Sequence, residues 1–342
     1  MAKVSIQIVT WNSMRYIFDC LESIIRQSFR DFSILVIDNA SSDGTVEFIR
    51  GHYPSVSVLQ NFKNLGFCKA NNQGIQLASG DYILVMNPDV ILADDFLEKL
   101  ISSADRHPYA GSFGGKTLKL FSQPIDQQDQ EGLRKIIKSD IIDSAGLAIF
   151  KNRKVVNRGE GQKDAGQYDE VEQVFGLSGS CVLYRRKALE EVKIKSEYFD
   201  DNFFAYKEDI DLAWRLQLCG HSGWYFPEAV CYHRRSLSSV KTGGLKALVQ
   251  SRRKISKTLK SASLRNHCLM LVKNDQWPNI ILALPWFLFR QAEIFIYILV
   301  FELFQCRGFV KFLQFLPETL SKRKIIMANK KVKARDIRKW FK

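Results

Sequence analysis

An α/β fold with a mostly parallel central sheet flanked by helices is the expectation, and three features of the chain carry it. Short, β-branched apolar runs recur at 4–9 (VSIQIV), 33–37 (SILVI) and 82–86 (YILVM), each closed by turn residues. Helical stretches at 16–27, 45–50, 69–78 and 94–107 alternate with them. Alternation at this pitch requires crossover connections, which cover both faces of a parallel sheet and gather the loops at the carboxyl ends of its strands. A ligand is therefore expected along that rim.

Taken in order, residues 41–45 (SSDGT) supply a turn and cap for the second helix, so Asp43 and Gly44 are read as turn residues rather than ligand groups. Residues 123–138, rich in Gln, Asp and Lys, read as a solvated loop inserted between sheet elements. Strand patterning returns near 141–150, 171–175 and 180–184, followed by a helix at 209–219. The catalytic body is expected to end near Ser239, leaving residues 240–342 as a basic, partly apolar helical region.

Composition narrows the class. At 46% hydrophobic and 25% charged, the chain is too apolar for disorder, and eight prolines and twenty glycines exclude collagen-like or low-complexity sequence. Seven isolated cysteines, an odd number with no CxxC pair, argue for reduced thiols in a cytosol and against a disulfide scaffold or zinc ribbon. The first ten residues alternate like a strand, so no signal peptide is expected. Charge is uneven: from Lys241 onward there are 22 Lys and Arg against 5 Asp and Glu, whereas the rest of the chain has 28 against 31. Such a basic end suits an anionic surface.

Two intensely apolar runs, 280–289 and 294–301, lie within that end, separated by Arg290, Gln291, Ala292 and Glu293. Neither reaches the roughly 20 residues of a membrane span. A single crossing would place Arg290 and Glu293 at mid-depth, where their i,i+3 spacing allows them to pair. Peripheral contact with an anionic membrane is the favoured reading, helped by basic clusters at 252–254, 322–324 and 330–339. The competing reading is a buried helical hairpin with a solvated basic face.

Chemistry-bearing residues fall at the strand ends. The first strand ends in Thr10-Trp11-Asn12, and the second places Asp38 where a carboxylate can accept hydrogen bonds from a base or ribose. The strand at 82–86 runs into Asn87-Pro88-Asp89, a stiffened turn whose carboxylate can coordinate Mg²⁺ or Mn²⁺, hard cations completed by substrate phosphates. The densest cluster is 198–212, with five carboxylates within twelve residues interleaved with aromatics. Glu208, Asp209 and Asp211 open a helix there, and a carboxylate at a helix N-terminus is stabilised as the anion that can take a proton from a hydroxyl.

Seven ordered blocks resemble family 2 glycosyltransferases, inverting enzymes of the GT-A fold, and within them the rhamnosyltransferase-like bacterial branch. They are VSIQIVTWN (4–12), LESIIRQSF (21–29), VIDNASSDGT (36–45), NLGFCKANNQGI (64–75), GDYILVMNPDV (80–90), GLSGSCVLYRR (176–186) and FDDNFFAYKEDIDLAWR (199–215). The resemblance implies donor contacts from Thr10, Asn12, Asp38, Asn64, Gly66 and Asn87, with Asp209 as general base. It implies metal binding by Asp89, in a DxD-like motif whose first acid is Asn87 here, and by His233. Gly179, Glu208, Asp211 and Arg215 would support the acceptor side, Asp211 by bonding within its helix or to Arg215. The implied donor is deoxythymidine-diphosphate rhamnose or a uridine-diphosphate hexose. The implied acceptor is a cell-surface or lipid-linked glycan at the cytoplasmic face of the membrane.

Two other classes compete. A nucleotidyltransferase of the same fold predicts a glycine-rich basic loop after the first strand, and Trp11-Asn12-Ser13-Met14 lacks one. A nucleic-acid- or membrane-binding protein with a degenerate, non-catalytic transferase domain predicts aromatics interleaved with Lys and Arg. Here Trp286, Phe287, Phe289 and Phe295 fall in apolar runs instead, so no nucleic acid is expected.

Overall fold

The computed structural model describes residues 2–124, 134–234 and 255–342. Its first strands are β1 (Val4–Thr10), β2 (Phe32–Asp38), β3 (Ser57–Gln60), β4 (Tyr82–Met86) and β5 (Val90–Leu92). Helices α1 (Met14–Ile25), α2 (Thr45–His52), α3 (Gly66–Leu77) and α4 (Phe96–Asp105) alternate with them. Beyond lie β6 (Ala110–Pro124), β7 (Arg134–Ser144), β8 (Leu147–Ile149), β9 (Val155–Asn157), β10 (Glu172–Val174) and β11 (Cys181–Arg185), then α5 (Arg186–Val192), α6 (Glu208–Leu218) and β12 (Ser222–His233).

Ten strands form one sheet, ordered β10-β12-β6-β11-β4-β1-β2-β3, with β5 on β12 and β7 on β6. Pairing is parallel from β3 to β4, the stretch where strands and helices alternate. It turns antiparallel where β11 inserts beside β4 and β6. All five residues of β4 are buried and divide between two cores, as expected of a strand covered on both faces. Tyr82, Leu84 and Met86 join the layer under α1 and α4, while Ile83 and Val85 face the layer that holds α6.

The expected loop at 123–138 is corrected in part. Gln123↔Lys135 and Pro124↔Arg134 continue the antiparallel ladder of β6 and β7, so both flanks are strand. Its polar residues hid it, because an edge ribbon has no continuously buried face to impose an apolar alternation. Residues 125–133 lie outside the described residues, as do the expected boundary at Ser239 and the basic cluster at 252–254.

The C-terminal region contains α7 (Lys257–Asn274), α8 (Trp277–Leu282), α9 (Leu284–Phe301), a 3₁₀ turn (Leu303–Gln305), α10 (Cys306–Asn329) and α11 (Ala334–Arg338). Apolar groups of α7, α10 and α11 enter the same core as α6. The chain end also joins it, the Lys342 amide donating to the Ile149 carbonyl at 3.0 Å. A buried ion network ties the helices to the sheet body. Lys273 pairs with Asp200 and, at 2.9 Å, with Asp211. Lys322 meets Asp200 at 2.6 Å and Glu197 at 2.8 Å. By contrast α9, the one described helix long and apolar enough to cross a membrane, is almost wholly exposed. Arg290 and Glu293 do pair on it, at 3.0 Å.

Candidate active site

Thr10 and Asp38 sit opposite each other at the carboxyl ends of β1 and β2. Asp38 is fully buried and accepts from Thr10 Oγ1 (2.8 Å), Ser41 Oγ (2.5 Å) and the Ser41 amide (2.8 Å). Three of its acceptor positions therefore hold the loop after β2. Asn12, at φ 52°, braces the same loop: its amide donates to Ser41 Oγ and its Oδ1 accepts from the Ser42 amide. Asp43 and Gly44 form the turn into α2, Asp43 accepting from the Met14 and Thr45 amides.

A hydrogen-bonded path runs from this loop around the rim. Asn39 Nδ2 donates to the Gly66 carbonyl at 3.2 Å, and the Phe67 amide donates to the Phe204 carbonyl at 2.8 Å. Asn64 caps that turn by accepting from the Gly66 amide at 2.8 Å. Only glycine suits position 66: its φ is +82°, and a Cβ would lie 2.6 Å from the Phe204 ring. On the far side, the Asn87 amide donates to the Ser180 carbonyl (2.9 Å), and the Gly179 amide donates to Asp209 Oδ2 (3.1 Å). The strand ends bearing Asp38 and Asn87 and the head of α6 bearing Asp209 thus share one edge of the molecule.

Asp89 and His233 meet because β5 pairs with β12, Val90 opposite His233. His233 Nε2 lies 3.4 Å from Asp89 Oδ1, and Nδ1 lies 2.9 Å from Asp143 Oδ2. Burial works to lower the imidazole pKa, but the two carboxylates outweigh it and raise it to about 9. Once a cation displaces that proton, the facing oxygen and nitrogen, with the histidine oriented from behind by a carboxylate, suit a divalent ion that draws its remaining ligands from phosphates. Among the described residues no group of three or more His, Cys, Asp and Glu side chains has metal-holding geometry. Asp143 went unread in the sequence, since it lies at the end of a β-ribbon ninety positions from His233 and no local motif marks it. Arg234, whose amide donates to the Asp89 carbonyl at 3.0 Å, was also passed over. Its Nε is buried without a hydrogen-bond partner among the described residues.

The acidic segment divides in three dimensions. Asp200 and Asp211 are buried in the lysine network, and Asp201 accepts from Asn72 at 2.7 Å. Asp211 also accepts from Arg215 Nε at 3.1 Å, and Arg215 donates to the Val192 and Tyr198 carbonyls, so both side chains brace α6. Only Glu208 and Asp209 remain at the head of α6, preceded by Tyr206 and Lys207 at φ 73° and 75°. Helix α7 props this left-handed pair: Asn266 Nδ2 donates to the Ala205 and Tyr206 carbonyls at 3.0 and 2.9 Å.

Burial, reinforced by the neighbouring Asp209 charge, pushes the Glu208 pKa up to about 8. The folded state therefore holds a proton that the unfolded chain releases, and stability falls as pH rises from the ordinary glutamate range to about 8. Glu208→Gln has no such proton to lose. Its melting temperature should gain on the parent between about pH 5 and about pH 8.5, and a pH-independent difference would refute this environment for Glu208.

Known proteins share this fold. Among solved structures, GalNAc-T7 with UDP, GalNAc and Mn²⁺ aligns with a TM-score of 0.56 at 14% identity, over 80% of this chain and 48% of its own, so the match spans about half of that protein. S. aureus TarS 1-349 in complex with UDP aligns with a TM-score of 0.54 at 16% identity, over 99% of this chain and 89% of its own. The fold is GT-A, that of nucleotide-sugar transferases. The profile of Glycosyl transferase family 2 matches residues 5–193, and the chain belongs to that family. An N-acetylglucosaminyl-diphospho-decaprenol L-rhamnosyltransferase of Mycobacterium tuberculosis is 31% identical over 248 residues, 68% of this chain and 76% of the relative.

Proposed function

We propose that this family 2 glycosyltransferase inverts configuration while moving a sugar from a nucleoside-diphosphate donor, of the dTDP-rhamnose or UDP-hexose class, to a hydroxyl of a cell-surface or lipid-linked glycan. The observation that carries the reading is Asp209 at the head of α6, tied to Gly179 on the same rim as Asp38 and Asn87. Asp209 takes the proton of the acceptor hydroxyl as that oxygen bonds to the anomeric carbon. The bond from this carbon to the donor diphosphate breaks, its electron pair leaving on the nucleoside diphosphate. Displacement from the opposite face inverts the centre, and one carboxylate suffices because diphosphate departs without a proton.

The donor lies along Thr10, Asn12, Asp38, Asn64, Gly66 and Asn87, with Asp38 fixing the loop and keeping one acceptor position for the nucleoside. Asp89 and His233 would hold Mg²⁺ or Mn²⁺, whose chemistry when bound is to neutralise charge on the diphosphate. Arg234 adds a permanent cation beside them. The relative's printed name supports a rhamnosyl donor and a lipid diphosphate acceptor. The exposed apolar α9 and the basic composition after Lys241 support peripheral contact with an anionic membrane from the cytoplasmic side.

A panel of nucleotide sugars, assayed with Mg²⁺ or Mn²⁺ by thermal shift and donor hydrolysis, tests the reading. One donor of the named class should stabilise the protein, and stabilisation by none would refute it. With that donor, Asp143→Asn should raise the metal concentration needed for half-maximal turnover about 10- to 100-fold, because it frees the His233 ring. An unchanged metal requirement would remove His233 from the metal site.

A further inference from the structure

A cavity of about 700 Å³ lies between the head of α6 and the C-terminal helices, away from the strand ends that carry Asp38 and Asp89. That volume is within the range of small-molecule sites, roughly 300–1,000 Å³. Lys207 and Ile210 form one wall, so Glu208 and Asp209 stand between two of its lining residues.

The lining combines cationic side chains with hydrocarbon. Arg153, Lys260 and Arg290 also border the cavity, each with a carboxylate partner (Asp275, Glu302 and Glu293 respectively), and the remaining bordering cation, Lys154, is exposed to solvent. The Lys207 side chain has neither an ion pair nor a hydrogen bond among the described residues, its carbonyl alone accepting, from the Asp211 amide at 2.9 Å. Lys207 is half-buried, and burial lowers its pKa against the pull of Asp209 and Glu208. A partly buried cation that no carboxylate contacts directly is incompletely compensated, and an anionic ligand relieves that cost. Leu264, Ile294, Ile298 and Phe301 contribute hydrocarbon to the lining. Two apolar lining residues reach the surface, Ile296 at 60% and Phe301 at 47% exposure, so the cavity has an apolar end on the bare face of α9.

We propose that this cavity is the acceptor subsite and that its ligand is a prenyl-type lipid diphosphate. The diphosphate sits at Lys207, and the chain runs along α9 toward the membrane surface. The sugar borne on the diphosphate then faces Asp209. A soluble glycan would leave the apolar end unfilled, and a free phosphate would leave the same surface wet. The inference rests on the glycosyltransferase reading, since it takes Asp209 as the base that the acceptor must reach.

Calorimetric titration of the full chain with farnesyl diphosphate, farnesol and inorganic diphosphate tests it, with UDP and dTDP titrated in parallel. Farnesyl diphosphate should bind the parent at least about tenfold tighter than either fragment. Lys207→Gln, which removes the cation, and Ser263→Trp, which fills the cavity from α7, should each weaken it about tenfold and leave nucleotide binding unchanged. Equal affinity of parent and both variants for farnesyl diphosphate would overturn the proposal, as would parallel loss of nucleotide binding. A protein that binds farnesyl diphosphate as stated but no nucleotide would instead refute the transferase reading.

Discussion

Asp209→Asn should lower glycosyl transfer by about 10²- to 10⁴-fold while leaving nucleotide affinity within about twofold of the parent. The substitution keeps the size of the side chain and an oxygen to accept from the Gly179 amide, so the head of α6 has no reason to move. What it removes is the site that takes the acceptor proton. The loss should fall on kcat rather than KM for the donor, because the interaction is made as the proton transfers. Steady-state transfer assays beside donor titrations check this. Retained turnover would take Asp209 out of the reaction, and lost donor binding would recast it as a donor ligand.

The ion network behind α6 should dominate stability. Lys273→Met leaves Asp200 and Asp211, both fully buried, short of a cation that each now contacts. Removing one partner of a buried pair costs about 3–5 kcal/mol, since the remaining charge stays desolvated. Denaturant unfolding should register that loss, and a change below about 1 kcal/mol would refute the network's role. Its pH dependence has a definite sign. Burial would raise the Asp200 carboxyl, but Lys273 and Lys322 hold it well below the usual carboxylate range. A depressed folded pKa means the contribution is complete above the ordinary aspartate range and is lost as pH falls below it. Lys322 is shifted upward by Asp200 and Glu197 against the effect of burial, so its share persists at neutral pH and fades only in strong alkali.

Local pattern reached far in the amino-terminal half. The runs at 4–9, 33–37 and 82–86 became β1, β2 and β4 with ends shifted by a residue or so, because a doubly covered parallel strand must be apolar throughout. Turn chemistry at Asp43 and Gly44 was equally readable, since φ +85° at position 44 is a backbone demand that glycine announces. Pattern failed at β6 and β7, where an edge ribbon carries polar residues, and at β12, whose pairing with β6 joins segments about a hundred residues apart.

The acidic segment at 198–212 is the instructive case. As a string it offers five carboxylates, of which local pattern sets apart only Glu208, Asp209 and Asp211 as opening a helix. Folded, it sends Asp200 and Asp211 toward Lys273 and Lys322, Asp201 toward Asn72, and leaves Glu208 and Asp209 at a helix head propped by Asn266. None of those partners lies within the segment, and most come from helices that read only as a basic, apolar tail.

Order and composition alone fixed the alternating architecture, the families of loops at the strand ends and the uneven distribution of charge, because propensity, turn geometry and charge act between near neighbours. Which carboxylate is neutralised, which histidine is held from behind by Asp143, and which lysine is left facing an open cavity were settled by contacts across as many as 120 positions. Those contacts exist only once the helices have packed, since burial and the distance between charges are properties of the assembled core.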